Sequence, residues 1–285
     1  MAETNKLPDF DEQYLEECHN NFLSSIRNNP NNFSFWFPKI ENCGIPVPKS
    51  VIIQLPDDII QSLFLEREGD DDRITDFVRN TVKPAIPEEW NRIFIKNGCF
   101  SNKFDFQYCC IRPTVHRLVT SIEQINMDAL CMDTDGESEL VIREFLEPYH
   151  YDDDELGIKI YSIYNGMPLR PEIRVFYDFD NRRALYAANY WDWDYCHDRI
   201  CERDCTDKLA YEAAYPTIES FFNKMQGNAL ELVEESLKNV DMQGIWSVDL
   251  MWHEGQFWLI DMAVGHRSAY WDPERINKIK EQCQK

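Results

Sequence analysis

Two aspartates lie on the two arms of the clearest hairpin pattern in the chain. Asp249 falls within 245–252 and Asp261 within 257–262, on either side of a turn at 254–255. Both are surrounded by large apolar residues, where an unpaired carboxylate is costly. A cation would relieve that cost and the repulsion between the two carboxylates, and Mg²⁺ binds one or two carboxylates together with phosphate oxygens. The same pattern also fits aspartates that cap turns or pair with arginines.

Four cationic side chains are candidates for holding an anion. Lys96 ends a buried strand pattern at 92–97, and Lys103 follows in the next polar loop. A lysine in such a place can act as a point charge for phosphate, although a solvated lysine is the more common case. Arg143 and Arg174 lie inside apolar strand patterns, so each needs an anionic partner. That partner is either a ligand phosphate or a carboxylate on a strand.

A further candidate segment is Glu-Phe-Leu-Glu, where a strand pattern runs directly into Pro148. The backbone of Glu144, Phe145 and Leu146 can offer an N–H and a C=O group to the edge of an adenine ring. Glu147 is placed to accept hydrogen bonds from ribose hydroxyls. The segment is therefore a candidate hinge that binds a nucleotide.

Short apolar strand patterns position these side chains. The strand patterns are 51–54, 92–97, 139–146, 158–164, a hairpin of 172–180 with 183–191, and the hairpin of 245–252 with 257–262. The helical patterns are 9–28, 56–67, 73–82, 207–239 with interruptions at Pro216 and Gly227, and 273–284. Antiparallel strands with segregated helices predict the α+β class. With only ten glycines and no GxGxxG or Walker motif, a nucleotide must be held in another way.

The net charge of the chain restricts the classes of macromolecule that it can bind. The net charge of −22 repels phosphate backbones, which argues against nucleic-acid binding. The same charge suits a basic protein partner, and the acidic run at 151–155 is either a docking segment for it or a solvated loop.

The length and apolar content of the chain indicate a globular protein with a sizeable core. A chain of 285 residues with 44% hydrophobic side chains can form one substantial core or two joined lobes. No apolar run approaches the ~20 residues of a membrane span, and the N-terminus has no signal-peptide pattern. We therefore expect a cytoplasmic protein without membrane association. Its cysteines should be reduced and mainly buried as small apolar groups.

The order of these motifs resembles that of the ATP-grasp superfamily. The corresponding segments are 44–50 (the beginning of the nucleotide-binding part), Ile95-Lys96 (the ATP-binding lysine strand), 141–146 (the adenine hinge), 172–176 (the strand with a phosphate-facing arginine), and 247–249 with 258–261 (the metal strands). Within the superfamily the chain is most similar to the cell division cycle protein 123 family. The matching segments are Lys96-Asn97 with 101–105, then 140–143 and 172–174.

The resemblance covers roughly residues 35–271 and implies a fold of two α+β lobes whose antiparallel sheets clasp a nucleotide. ATP and Mg²⁺ are the implied cofactors. The implied roles are neutralisation of phosphates by Lys96 and Lys103, their orientation by Arg143 and Arg174, adenine binding by Glu144, Phe145 and Leu146, ribose binding by Glu147, and metal binding by Asp249 and Asp261. We divide the chain into a helical segment (1–34), an N-terminal lobe (35–138), a C-terminal lobe with the hinge and the metal hairpin (139–272) and a C-terminal helix (273–285).

Two functions of different class follow from the resemblance. One is an ATP-dependent ligase-type or phosphoryl-transfer enzyme that activates a carboxylate acceptor for attack by an amine or a thiol. The other is an ATP-binding assembly factor, since the family is implicated in assembling translation initiation factor two. A degenerate fold that serves only as a scaffold is a third interpretation.

One departure from the family pattern bears on turnover. Family members usually follow the second metal strand with an asparagine that completes metal coordination, whereas this chain has Ala263 there. His266 or a water molecule could take its place. A zinc knuckle from Cys196, His197, Cys201 and Cys205 is a weaker alternative metal site, because the spacing lacks paired CxxC motifs.

Overall fold

The secondary structure comes from a computed structural model that describes residues 12–65, 69–132, 134, 137–148, 160–201 and 204–282. The strands are β1 Ser50–Gln54, β2 Ile93–Asn97, β3 Cys110–Ile111, β4 Glu139–Glu144, β5 Tyr161–Ile163, β6 Met167–Leu169, β7 Glu172–Asp178, β8 Arg183–Asn189, β9 Ile245–His253 and β10 Gln256–Val264. The helices are α1 Glu12–Arg27, α2 Phe33–Ile40, α3 Asp57–Leu65, α4 Asp70–Phe77, α5 Lys83–Ala85, α6 Phe106–Cys109, α7 Val115–Cys131, α8 Trp193–Cys201, α9 Cys205–Leu237 and α10 Pro273–Gln282. The acidic run at 151–155 lies outside the described residues.

The first sheet is antiparallel and has the strand order β1-β4-β2-β3. Its central strand β4 is buried on both faces, as its nearly continuous apolar sequence favours. Side chains alternate along a strand. Leu140 and Ile142 therefore join the core formed with α3, α4 and α7, whereas Val141 joins the core of the second sheet. Arg143 shares the face of Val141 and so lies on the side of the first sheet that faces the second.

The second sheet is also antiparallel, with the order β10-β9-β7-β8. On β7, the residues Ile173, Val175 and Tyr177 pack into a core with α2 and α9. Glu172 and Arg174 lie on the opposite face of β7. Both hairpins that we predicted around this sheet, β7 with β8 and β9 with β10, are present.

Strand β4 belongs to a different sheet from the one that the predicted lobe boundary implies. We assigned residues 139–272 to the C-terminal lobe, but β4 pairs with β1 and β2, so that Arg143 lies opposite Ser50 on one side and Phe94 on the other. Both faces of β4 are buried, so its sequence carries no signal for the sheet that it joins. The other boundaries, at 34 and 272, stay predictions.

Helix α9 continues through both of its predicted interruptions. Pro216 and Gly227 lie within the helix, and both are exposed to solvent. Its buried side chains keep helical spacing through these positions: Tyr211, Ala214, Ile218, Phe221, Ala229, Val233 and Leu237. Burial of each large side chain stabilises the fold by roughly 1.5–3 kcal/mol, so together they outweigh the ~3 kcal/mol cost of an interior proline. In the described part of the chain, α9 and the other helices lack the combination of length and apolar sequence needed to cross a membrane.

The cysteines are more exposed than we predicted. The eight whose environment is described are all free; Cys109 and Cys110 are buried, whereas Cys18, Cys131 and Cys205 are exposed. An exposed thiol does not serve as core packing, so the prediction of mainly buried cysteines is wrong for this part of the chain.

Glu137 is a buried carboxyl group just before β4, and it should make stability depend on pH. Burial raises its pKa from 4.5 to about 8, although Lys96 opposes the shift. In that interval the folded chain holds a proton that the unfolded chain releases. The contribution of this group to stability is therefore complete below its unfolded pKa and is lost as the pH rises through about 8.

We expect the Glu137→Gln variant to lose less stability than the wild type between about pH 5 and about pH 9, with a difference on the order of 3–4 kcal/mol. The amide stays neutral at both pH values, so only the wild type must deprotonate a buried group. Urea unfolding of both proteins at the two pH values measures the difference. Parallel loss of stability in both proteins would contradict the burial of a protonated Glu137.

Candidate functional site

A cavity with an empty volume of about 910 Å³, including its open mouth, lies between the two sheets. The predicted site residues that line it are Lys96, Lys103, Arg143, Glu144, Phe145, Leu146, Arg174, Asp249 and Asp261. Its apolar wall is formed by Pro48, Phe94, Phe106, Met167, Pro168, Met251 and Ile260. Cations and carboxylates thus share one cavity with flat apolar surfaces, although they come from distant parts of the sequence.

Arg174, Asp249 and Asp261 lie side by side on three neighbouring strands. Arg174 on β7 is opposite Asp249 on β9, which is opposite Asp261 on β10. A bulge between Leu259 and Asp261 sets this register. Without the extra residue, Ile260 would face Asp249 and Asp261 would turn to the other face of the sheet. The bulge therefore brings the two predicted aspartates together; their role as metal ligands stays a prediction.

Each of the two aspartates forms an ion pair with a basic side chain. The Nε and Nη2 atoms of Arg174 donate to the two oxygens of Asp249, each at 2.7 Å. The Nζ atom of Lys96 lies 3.1 Å from both oxygens of Asp261. Burial lowers the pKa of Arg174, but Asp249, Tyr190 and Asp261 together outweigh it, so the net shift is upward and the guanidinium stays charged. The pair of Asp249 with Arg174 is the arginine pairing that the sequence left open as an alternative, whereas the lysine partner of Asp261 was not expected.

Lys103 is held by an aromatic side chain. Its ammonium group donates to the Tyr190 hydroxyl and lies 3.7 Å from the centroid of the Tyr190 ring. Burial lowers the pKa of Lys103, but Tyr190, Glu172 and Asp249 outweigh it, so the net shift is upward. Lys103 therefore presents a fixed positive charge to the cavity.

Arg143 is a buried cation whose hydrogen-bonding capacity is only partly used. The residue is 5% exposed, and its Nη1 atom donates to the Ile260 carbonyl. Its Nε and Nη2 atoms have no hydrogen-bond partner among the described residues. Burial lowers its pKa to about 10, while Asp261 opposes the shift. These two nitrogen atoms are thus buried donors without a partner, on a residue that lines the cavity.

Of the predicted hinge residues at the end of β4, all but Glu147 line the cavity. Glu144, Phe145 and Leu146 line the wall. The side chain of Glu147 is 56% exposed, and its carboxylate lies 3.0 Å from the Nη1 atom of Arg92, away from the cavity lining. The predicted ribose-binding role of Glu147 therefore has no geometric support, because Arg92 holds the carboxylate elsewhere.

Arg170, Glu172 and Tyr190 also line the cavity, and the sequence analysis did not select them as site residues. Arg170 donates to the Leu146 carbonyl, and its guanidinium carbon lies 5.8 Å from the centroid of the Phe145 ring. Arg170 and Glu172 could have been found from their spacing to Arg174, since charged residues at alternate positions beside an apolar strand mark one face.

The acidic part of the cavity contains two carboxylates that face each other across paired strands. Within the described ranges, no three His, Cys, Asp or Glu side chains lie close enough together to hold a metal ion. His266 lines a separate cavity beside Phe35 and Trp246, so the suggestion that it completes the site is wrong. Asp249 and Asp261 still fit Mg²⁺, because this ion takes one or two carboxylates when substrate phosphates supply further oxygens.

The cysteine–histidine segment at 196–205 gives no support to the zinc alternative. His197 contacts the carboxylates of Asp198 and Glu212 at 3.0 Å and 3.1 Å. The Cys196 sulfur lies 3.6 Å from the Tyr190 carbonyl oxygen. In the part of this segment that the structure describes, these groups are thus engaged with acids and backbone.

The fold of the chain is similar to that of a solved protein. C-terminally truncated Cdc123 from Schizosaccharomyces pombe matches with a TM-score of 0.54 and 14% sequence identity, over 88% of each chain. The chain has the Cdc123 fold. The predicted α+β class, with two antiparallel sheets, is confirmed.

Other comparisons are weaker. D-alanine–D-alanine ligase from Bacillus anthracis, solved in complex with ATP, matches with a TM-score of 0.39 and 10% identity, over 91% of this chain and 61% of the ligase chain. The VanG D-Ala:D-Ser ligase from Enterococcus faecalis matches with a TM-score of 0.40 and 11% identity, over 90% and 58%. No protein-family model and no curated protein matches the chain. The likeness to Cdc123 is therefore one of fold.

Proposed function

We propose that the cavity between the two sheets binds ATP. The observation that carries the proposal is Arg143, a cavity-lining residue whose buried guanidinium has two donor nitrogens without a hydrogen-bond partner among the described residues. A buried cation with unused donors is costly in the free protein and gains most from an anionic ligand. Phosphate oxygens are strong acceptors for such donors. The Cdc123 fold and the order of the ATP-grasp-like motifs favour a nucleoside triphosphate among anions.

The two ends of the cavity suit the two ends of ATP. At one end, the backbone of Glu144 to Leu146 and the rings of Phe94 and Phe106 would hold adenine, because a planar base stacks on flat apolar groups. At the other end, Lys103 and Arg143 would bind phosphate oxygens. Lys96 and Arg174 lie at the same end beside the aspartates and would orient the outer phosphates.

Asp249 and Asp261 would hold Mg²⁺ together with those phosphates. The bound ion would supply charge neutralisation to the triphosphate. The side chains of Arg174 and Lys96, which now pair with the aspartates, would then be available to the phosphate oxygens as well.

The chemistry proposed for this site is transfer of the γ-phosphoryl group to a carboxylate acceptor. The carboxylate oxygen would form a bond to phosphorus as the bond to ADP breaks, and the acyl phosphate would then be captured by an amine or a thiol with release of phosphate. Arg143 and Arg174 would stabilise the charge on the transferring group.

A second candidate function is ATP binding that supports the assembly of a protein partner, with little turnover. It is favoured by the acidic part of the site, where Ala263 supplies no ligand atom and no third acidic, histidine or cysteine ligand lies close by among the described residues. A site with fewer protein ligands holds its metal and the γ-phosphate less rigidly, which slows phosphoryl transfer more than it weakens binding.

A calorimetric titration of ATP with and without Mg²⁺ tests the proposal. We expect wild type to bind ATP more tightly with Mg²⁺, and Asp261→Asn to lose that enhancement because it removes one of two carboxylate ligands. The matched control is Asp241→Asn, an exposed aspartate outside the cavity, which should behave as wild type. Absence of ATP binding to wild type would overturn the proposed function.

A further inference from the structure

A second cavity opens beside the segment between β2 and α6, and large apolar side chains form part of its wall. Its empty volume is about 980 Å³, including its open mouth, and Phe100, Phe104, Tyr164 and Met132 line it. The rings of Phe104 and Tyr164 meet edge to face, with centroids 5.2 Å apart. Phe104 is 38% exposed and Met132 is 60% exposed. Neighbouring apolar groups that remain in contact with water favour the binding of a macromolecular partner.

Four aspartates complete the wall of this cavity, which we call the acidic groove: Asp105, Asp128, Asp204 and Asp207. Uncharged groups donate hydrogen bonds to their carboxylates, namely side-chain amides to the first two and backbone N–H groups to the last two. Within the described ranges, none of the four forms an ion pair with a basic side chain. The negative charge of the groove is therefore not compensated by the described part of the fold.

Two of these carboxylates flank the pair of aromatic rings. Asp207 accepts a hydrogen bond from the backbone N–H of Tyr164 at 2.9 Å, and Asp105 accepts one from the side chain of Asn165 at 3.0 Å. Each ionised carboxylate has about four acceptor positions, so both can accept further donors. Aromatic rings and free acceptor positions thus lie together at one place in the groove.

The groove suits an organic cation better than a metal ion. Among the described residues, its carboxylates are too far apart for three of them to share one ion. A guanidinium group is flat, so it can stack on an aromatic ring and donate to carboxylates on either side at the same time. Met132 would then pack against an apolar residue beside the arginine. A small free cation has no such residue, so the groove favours an arginine within a polypeptide.

The acidic groove shares a wall with the cavity between the two sheets. Residues of the segment 100–106 line both spaces: Ser101 and Lys103 line the cavity, whereas Asn102 and Phe104 line the groove. A partner in the groove would therefore contact the segment that presents Lys103 to the cavity. This position suits the second candidate function, in which a nucleotide supports a task performed on a protein partner.

We propose that the acidic groove binds a basic segment of a protein partner, through an arginine that stacks on Phe104 and pairs with Asp105 and Asp207. The net charge of −22 attracts a basic partner to the surface as a whole. The aromatic wall adds a preference for arginine that charge alone does not give. The proposal does not depend on ATP binding in the cavity between the sheets.

Fluorescence anisotropy of a labelled peptide of three Arg-Leu-Gly repeats, in about 150 mM salt to screen distant charges, tests the proposal. We expect wild type to bind this peptide at least about threefold more tightly than the same peptide with lysine in place of arginine. Phe104→Ala should weaken binding of the arginine peptide about three- to tenfold without a change in charge. Asp105→Asn/Asp207→Asn should weaken it about tenfold or more.

Two variants away from the groove are the matched controls. Phe35→Ala removes a ring of similar exposure, 43%, from another cavity. Asp71→Asn/Asp72→Asn removes two exposed charges from α4. Both should bind the arginine peptide as wild type does. Far-UV circular dichroism establishes that each variant is folded, and the comparison of the two peptides on wild type needs no variant.

Four results would overturn the proposal. They are no binding of the arginine peptide to wild type, equal affinity for the arginine and lysine peptides, and losses of affinity in the control variants as large as those in the groove variants. The fourth is binding of arginine methyl ester as tight as that of the peptide, which would assign the groove to a small cation.

Discussion

Replacing Asp249 by asparagine should destabilise the fold by about 3 kcal/mol. The variant leaves the guanidinium of Arg174 without a counter-ion in a site where the two side chains are only 10% and 8% exposed. Loss of one partner of a buried ion pair costs about 3–5 kcal/mol, and the low end applies because the amide oxygen still accepts one hydrogen bond. Urea unfolding monitored by circular dichroism measures the change.

A compensating substitution is the control for this prediction. The double variant Arg174→Met/Asp249→Leu replaces both charges by apolar groups of similar size, and exchanges of this kind are often neutral or stabilising. It should therefore recover most of the stability that Asp249→Asn loses. If Asp249→Asn is as stable as wild type, the pair is not held in the buried, bidentate geometry described above.

Replacing Arg143 by methionine should weaken ATP binding by about 100-fold, which corresponds to about 3 kcal/mol, and should leave stability unchanged or raise it. The two effects differ in sign because two buried nitrogen atoms of Arg143 lack a hydrogen-bond partner in the free protein, whereas charge-assisted hydrogen bonds to phosphate contribute about 1.5–3 kcal/mol each. Calorimetric titration measures the first effect and urea unfolding the second.

An exposed arginine provides the comparison for Arg143. The side chain of Arg79 is 57% exposed, and it pairs with Asp76 on the surface, so Arg79→Met should change neither ATP affinity nor stability by a measurable amount. Two results would contradict the role proposed for Arg143. One is wild-type ATP affinity in Arg143→Met, and the other is a large loss of stability, which would mean that the guanidinium is already satisfied within the fold.

Local sequence patterns were sufficient to find most of the charged residues in the cavity wall, but not its apolar part. Alternation placed Arg143 and Arg174 on strand faces where a charge needs a partner, and the turn at 254–255 set Asp249 and Asp261 on paired strands. These inferences depend only on neighbouring residues and on the two-residue repeat of a strand.

Features that depend on distant residues could not be predicted in the same way. Lys96 and Asp261 meet across 165 positions of sequence, and no local pattern encodes that contact. No local sequence pattern predicts the bulge at Ile260, although this bulge determines the face of the sheet on which Asp261 lies. The contact of Glu147 with Arg92, 55 residues earlier, is likewise not encoded by any local pattern.

Asp261 also competes with any bound phosphate for the ammonium group of Lys96. The two groups belong to one chain, so the carboxylate faces the ammonium at an effective concentration on the order of millimolar or higher, however dilute the protein. A triphosphate that uses Lys96 must displace Asp261, whereas a divalent cation that takes Asp261 removes the competitor. On the proposed function, metal and nucleotide are therefore positively linked, and each raises the affinity for the other by the same factor.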